Sequence, residues 1–308
     1  MKIQRVKIPI LYQLIGRNMN TINQLYNKMI KAMNVKGLEI PIAAVKFFRK
    51  EDVIPDEVLE YNPEDITISS CQANKQAHLG DAILLTRDNI GCIAAAISFG
   101  LVDQNDDKPL MGGRVYTDIM KKQSKLDDNF MPPSPKDFTE GIVYACRESK
   151  RTDFCLFGTD DSGRFRNREI AKKAIQDMMA IQPPVMKGVF FFSKEFDEID
   201  LIPDVITLNI RPIELTRIVQ AYQYNTGKRV TGNMGAVRVV NSDLITRPYL
   251  TQKINFSSYC IGARLIAEYE PDRMGIGMPF SIFKEIVQGM EDSRTGYPFH
   301  LYPGASIK

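Results

Sequence analysis

Residues 185–224 carry two strand-length apolar runs in succession, Val185 to Phe192 and Asp204 to Ile210, and only then a helical run, Pro212 to Tyr224, with proline in its first turn. A strand, strand, helix unit of this kind points to an α+β fold, in which mixed sheets are flanked by helices. At 308 residues the chain exceeds the usual size of a single core. The expected organisation is one domain over 1–308, or two closely packed lobes with an excursion near 103–165. The breakers Asp103 to Asp107 and Asn129 to Pro135 fall in that stretch.

The remaining elements follow from period and punctuation. Ile22, Leu25, Met29, Ile30 and Met33 put one apolar stripe on a helix within Asn18 to Val35, with Gly37 placed to stop it. Glu39 to Phe48 and Ala82 to Thr86 read as strands, and Ile90 to Leu101 as a buried helix. Glu51 to Glu64, with two prolines, reads as a surface connection. Arg168 to Met179 and Ser281 to Met290 are helical in pattern. The apolar run Ala236 to Val240 reads as a strand following a tight Gly-rich turn.

Composition removes several function classes. Hydrophobic residues at 44% and charged residues at 25% are the balance of a globular core. The 40 basic and 37 acidic residues are scattered and leave a net charge of +3, so no single-sign field is available for nucleic acid or anionic lipid. Apolar stretches such as Ile93 to Phe99 fall far short of the roughly 20 residues a membrane helix needs. Lys2, Arg5 and Lys7 precede Ile8 to Ile15, but Gln13 interrupts and Arg17 follows without a small-residue cleavage site. The expected compartment is therefore the cytoplasm, with the five cysteines reduced or bound to metal.

Those cysteines, Cys71, Cys92, Cys146, Cys155 and Cys260, form no Cys-x-x-Cys pair, so the compact zinc and ferredoxin spacings are absent. Taken singly, each reads most simply as a small core residue. Cys71 follows two serines, however, Cys92 follows Gly91 at a turn and Cys260 precedes Gly262 by two positions, and cysteines beside turns can reach a common point. With only His78 and His300 present, a three-histidine metal site is arithmetically impossible. A second candidate is the segment Thr231 to Gly235, whose glycines let backbone amides approach an anion, with Arg238, Arg247 or Arg264 as charge partners. Gly158 to Gly163 reads as a polar turn.

Ala44-Val45-Lys46-Phe47, Cys71-Gln72-Ala73, Gly91-Cys92, Ala221 to Gly227, Gly235-Ala236-Val237, Ser242-Asp243, Arg247 to Thr251, Cys260 and Gly275 to Pro279 together carry a resemblance. Over most of its length the chain resembles the uncharacterised archaeal conserved-region family, also called domain of unknown function 169. The resemblance implies an origin in anaerobic metabolism and cysteines at the positions of Cys71, Cys92 and Cys260. It also implies a frequent fourth cysteine just before the Ser-Asp pair, where this chain has Asn241. A four-cysteine site would then be left with three thiolates and an open position, or would recruit Cys146 or Cys155, whose segment looks like an insertion.

Two functions compete on these residues. One is an iron-sulfur protein, a redox enzyme or an electron carrier, whose cluster, of the 4Fe-4S type, has Cys71, Cys92 and Cys260 as ligands and a fourth position either open or filled by Cys146 or Cys155. The other is a metal-free binding module for a small anionic metabolite, built on Gly232, Gly235, Arg247 and Arg264. The expected partner is a small molecule or a redox protein, with neither nucleic acid nor membrane. A purely structural role predicts neither site.

Overall fold

The structure, a computed structural model, describes residues 21–35, 37–63, 68–110, 134–141, 165–179, 182–196, 198–237 and 239–293. Cys146, Cys155, Arg238, His300, most of the 103–165 excursion and the whole of the Gly158 to Gly163 turn lie outside them. Six strands form one sheet: β1 (Ile42–Arg49), β2 (Ala82–Leu85), β3 (Met186–Phe192), β4 (Val205–Ile210), β5 (Asn255–Ser257) and β6 (Met274–Pro279). Their order is β2-β3-β1-β4-β6-β5. The class is α+β, and every neighbouring pair runs antiparallel where a mixed sheet was expected. The successive strands β3 and β4 are not neighbours, because β1 lies between them and pairs Val45 with both Phe191 and Val205.

Both faces of the sheet are buried, which is why its central strands read as apolar runs rather than as alternations. Along β1 the side chains of Ala43, Val45 and Phe47 enter one core, and those of Ile42, Ala44 and Phe48 enter the other. Full burial of each large side chain contributes roughly 2 kcal/mol. The second face is covered by the helices Ile22–Met33, Pro212–Thr226 and Phe280–Asp292. The opening helix starts at a Thr21 capping box with Gln24 and stops at Asn34, which takes the left-handed conformation ahead of Gly37.

The first face carries Ser70–His78, Ile93–Ser98, Arg168–Met179 and a continuous helical segment over 239–251. That segment corrects the strand expected over Ala236 to Val240. Val239–Asn241 is an α-helical turn, Ser242–Thr246 is π-helical and Arg247–Thr251 is α-helical again. Packing overrides the β propensity of the two valines, since Val239, Val240, Leu244 and Ile245 are all buried in the first core. Two glycines of β6 make the room. A Cβ on Gly277 would stand 1.8 Å from the Leu244 carbonyl oxygen, and one on Gly275 would stand 2.4 Å from a Leu244 methyl. Among the described residues no helix is long and apolar enough to cross a membrane.

Candidate functional site

The residues around Cys71 form a helix start, not the turn expected from sequence. Ser69 caps the Ser70–His78 helix, its hydroxyl accepting from the Gln72 amide while the Gln72 side chain accepts from the Ser69 amide. Cys71 is therefore in the first turn. Cys92 is the N-cap residue of Ile93–Ser98 and Cys260 that of Ile261–Ile266, and neither side chain makes a capping bond. A parallel bridge between Ile68 and Ile90 sets the first two helix starts abreast: the Ile68 amide donates to the Asn89 carbonyl at 3.0 Å and the Gly91 amide to the Ile68 carbonyl at 2.8 Å. From that bridge the chain has only a short run to Cys71 and to Cys92.

All three cysteines lie in the same buried cluster on the first face of the sheet, at 8%, 2% and 1% exposure. Cys260 follows Tyr259, a buried tyrosine held at a φ of 64°. A bulky residue in the left-handed region is strained, and such strain persists only where the surroundings over-determine it. The Tyr259 ring lies 4.2 Å from that of Tyr269, whose hydroxyl donates to the Cys71 carbonyl at 3.4 Å. Tyr269 thus contacts the Cys71 helix start and packs against the residue before Cys260.

Two polar chains run beneath these tyrosines. The Asn74 amide donates to the Tyr269 hydroxyl at 2.8 Å, the Thr207 hydroxyl donates to the Asn74 carbonyl oxygen at 2.8 Å, and His78 Nε2 meets Thr207 at 3.4 Å. In the second, the Tyr259 hydroxyl donates to Asn209, and Asn209 and Lys75 both donate to Glu270. Burial pushes both tyrosine hydroxyls well above their ordinary pKa, so they stay neutral. Burial, with the charge of Lys75, lowers His78 to about 3. Burial works against the Glu270 carboxylate, but the hydrogen bonds from Lys75 and Asn209 outweigh it and hold the group at about 2. Among the described residues two buried atoms, Ser70 Oγ beside Cys71 and His78 Nδ1, make no hydrogen bond.

Asn241, where the resemblance implied a fourth cysteine, is buried and donates its amide to Ser98 Oγ at 2.8 Å. Its helical turn packs against both the Ser70–His78 and the Ile93–Ser98 helices. Among the described residues no group of three or more His, Cys, Asp or Glu side chains is arranged to hold a metal ion. A single tetrahedral ion with sulfur about 2.3 Å away draws its thiolates to within about 4 Å of one another. A cluster places each thiolate on a separate iron and spaces them more widely.

The second candidate resolves into a cleft of about 130 Å³ that brings Gly235 and Arg247 together with Asp243. The Gly235 amide donates to Asp243 Oδ2 at 2.9 Å, and Asn255 fixes the adjoining turn through the Asn233 amide and carbonyl. Burial pushes the Asp243 carboxyl up to about 6, against the Gly235 amide, the Ser242 hydroxyl and the nearby Arg247 charge, all of which favour the carboxylate. Gly232 packs against the Phe256 ring, away from the lining. Arg264 donates to the carbonyls of Glu270, Ser258 and Arg273, stapling the segments on both sides of its own helix. A larger hollow of about 640 Å³ beside β2 contains none of the residues singled out by sequence.

Sequence reading overlooked Tyr259, Tyr269, Asn74 and Asp243. Asp243 carried a signal in the Ser-Asp pair, and Ser69 with Gln72 three residues on is the capping-box spacing that marks the Cys71 helix. The two tyrosines meet only through tertiary packing.

A family profile described as uncharacterised ArCR, domain of unknown function 169, matches residues 33–289. The chain belongs to this family. The matched span of the ArCR family starts at the last residue of the opening helix and contains all six strands, the three clustered cysteines, Asn241 and the Gly235 cleft. No curated protein and no solved structure matched the chain.

Proposed function

We propose that this chain is an iron-sulfur protein of anaerobic metabolism, a redox enzyme or electron carrier, in which Cys71, Cys92 and Cys260 hold the cluster. One observation carries the reading: three cysteines distant in sequence, each at or next to a helix start, lie in one buried cluster on one face of the sheet. The donor set fits, because buried thiolates are the ligands such clusters take, and Ser70 Oγ is left as an unused donor beside Cys71. When bound, the cluster would supply one-electron chemistry.

The chain's own residues do the rest. Ala94, Ala95 and Ala96, fully buried after Cys92, exclude water from that side. Tyr269 anchors the Cys71 carbonyl, and hydrogen bonds around ligating residues orient the donors and tune the potential. Asn241, an amide already donating to Ser98, is a poor iron ligand and leaves the fourth position to Cys146, Cys155 or an external group. The reading implies a reducing compartment, the cytoplasm.

Single serine substitutions test the assignment. After anaerobic reconstitution, Cys71→Ser, Cys92→Ser and Cys260→Ser should each lose most of the iron and acid-labile sulfide bound by the parent chain while keeping its far-ultraviolet circular dichroism. Parent-level iron in any one of the three removes that residue from the ligand set.

A further inference from the structure

The Gly235 cleft presents a second chemistry, separate from the cysteine cluster. Its walls include Ile175, Met178, Val237 and Val239. An apolar cavity of about 150 Å³ holds a benzene molecule, so the cleft's volume of about 130 Å³ suits a body of only a few carbons.

Two groups of opposite charge line this space. Asp243 accepts from the Gly235 amide and the Ser242 hydroxyl, which leaves acceptor capacity on both carboxylate oxygens. The Arg247 guanidinium, partly buried, makes no hydrogen bond or ion pair among the described residues. Its charge already favours the nearby Asp243 carboxylate without a direct hydrogen bond, so its donors are open to a ligand carboxylate in a bidentate pair. A simple anion would satisfy Arg247 but would set its charge beside Asp243, with Asp177 also on the lining. A zwitterion satisfies both groups and adds no net charge. The turn is already clamped by Asn255 and Asp243, so the wall is formed before a ligand arrives.

We propose that the cleft binds a small aliphatic α-amino acid, its carboxylate on Arg247, its ammonium on Asp243 and its side chain among Ile175, Met178, Val237 and Val239. Such a site extends the anion-binding expectation and is compatible with an iron centre elsewhere in the same core.

Isothermal titration of the purified full chain tests this with alanine, valine and leucine, with isobutylamine, which is valine without its carboxylate, and with isovalerate, which lacks the ammonium. Valine should bind at least tenfold more tightly than either fragment. Arg247→Gln, with an unchanged thermal midpoint showing that it folds, should weaken valine at least tenfold. Met178→Ala should shift the preference toward leucine, a gain that a merely unfolded variant cannot give. The proposal is overturned if isovalerate matches valine, if Arg247→Gln binds valine as the parent does, or if none of the five probes binds.

Discussion

His78 shows how one residue's surroundings set a pH response for the whole chain. Its imidazole is held neutral by burial and by Lys75, with a folded pKa of about 3 against an ordinary 6.5. Because the folded value is depressed, the stability associated with the neutral ring is fully present above pH 6.5 and is lost as pH falls toward about 3. Chemical unfolding across that window should show a steep acid loss in the parent and a shallower one in His78→Gln. Equal slopes would mean that His78 does not carry the effect. Nothing in the sequence around His78 distinguishes it from an ordinary surface histidine; the partner Thr207 and the neighbouring Tyr269 ring come from distant segments.

At the scale of elements, the close seat of the 239–251 segment on β6 is the most exacting contact. Gly277→Ala forces a methyl into the Leu244 carbonyl, which the backbone can relieve only by shifting, so it should cost about 2 kcal/mol or more in urea unfolding. A loss below about 0.5 kcal/mol, the usual range for an unconstrained surface site, would show that the approach is looser than described. Arg217 is a second such joint. Fully buried, it donates to the Met290 carbonyl at 2.7 Å and Ser293 Oγ at 3.0 Å, tying Pro212–Thr226 to Phe280–Asp292. Arg217→Ala should therefore destabilise the chain by about 3 kcal/mol, and an unchanged unfolding midpoint would contradict that role. The demand made by Gly275 and Gly277, room for Leu244, appears only once the two elements are packed.

Across the whole molecule, the sequence is legible where burial alone decides structure. Arg168–Met179, β3, β4 and the Pro212–Thr226 helix fall close to where period and proline put them. It is misleading at Ala236 to Val240, because β-branched residues buried against a sheet look like a strand whichever backbone carries them. The cysteines were legible as candidates, but the contacts beside them, the Ile68 to Ile90 bridge and the Tyr269 hydroxyl on the Cys71 carbonyl, are ones that no local pattern encodes. The central claim is that this cluster is an iron-sulfur site. Iron and acid-labile sulfide analysis of the anaerobically purified full chain, read together with its absorption spectrum, tests it most directly. The account predicts iron and sulfide in near-equal amounts with a broad visible absorption that bleaches on reduction; a colourless chain that takes up neither iron nor sulfide on anaerobic reconstitution would contradict it.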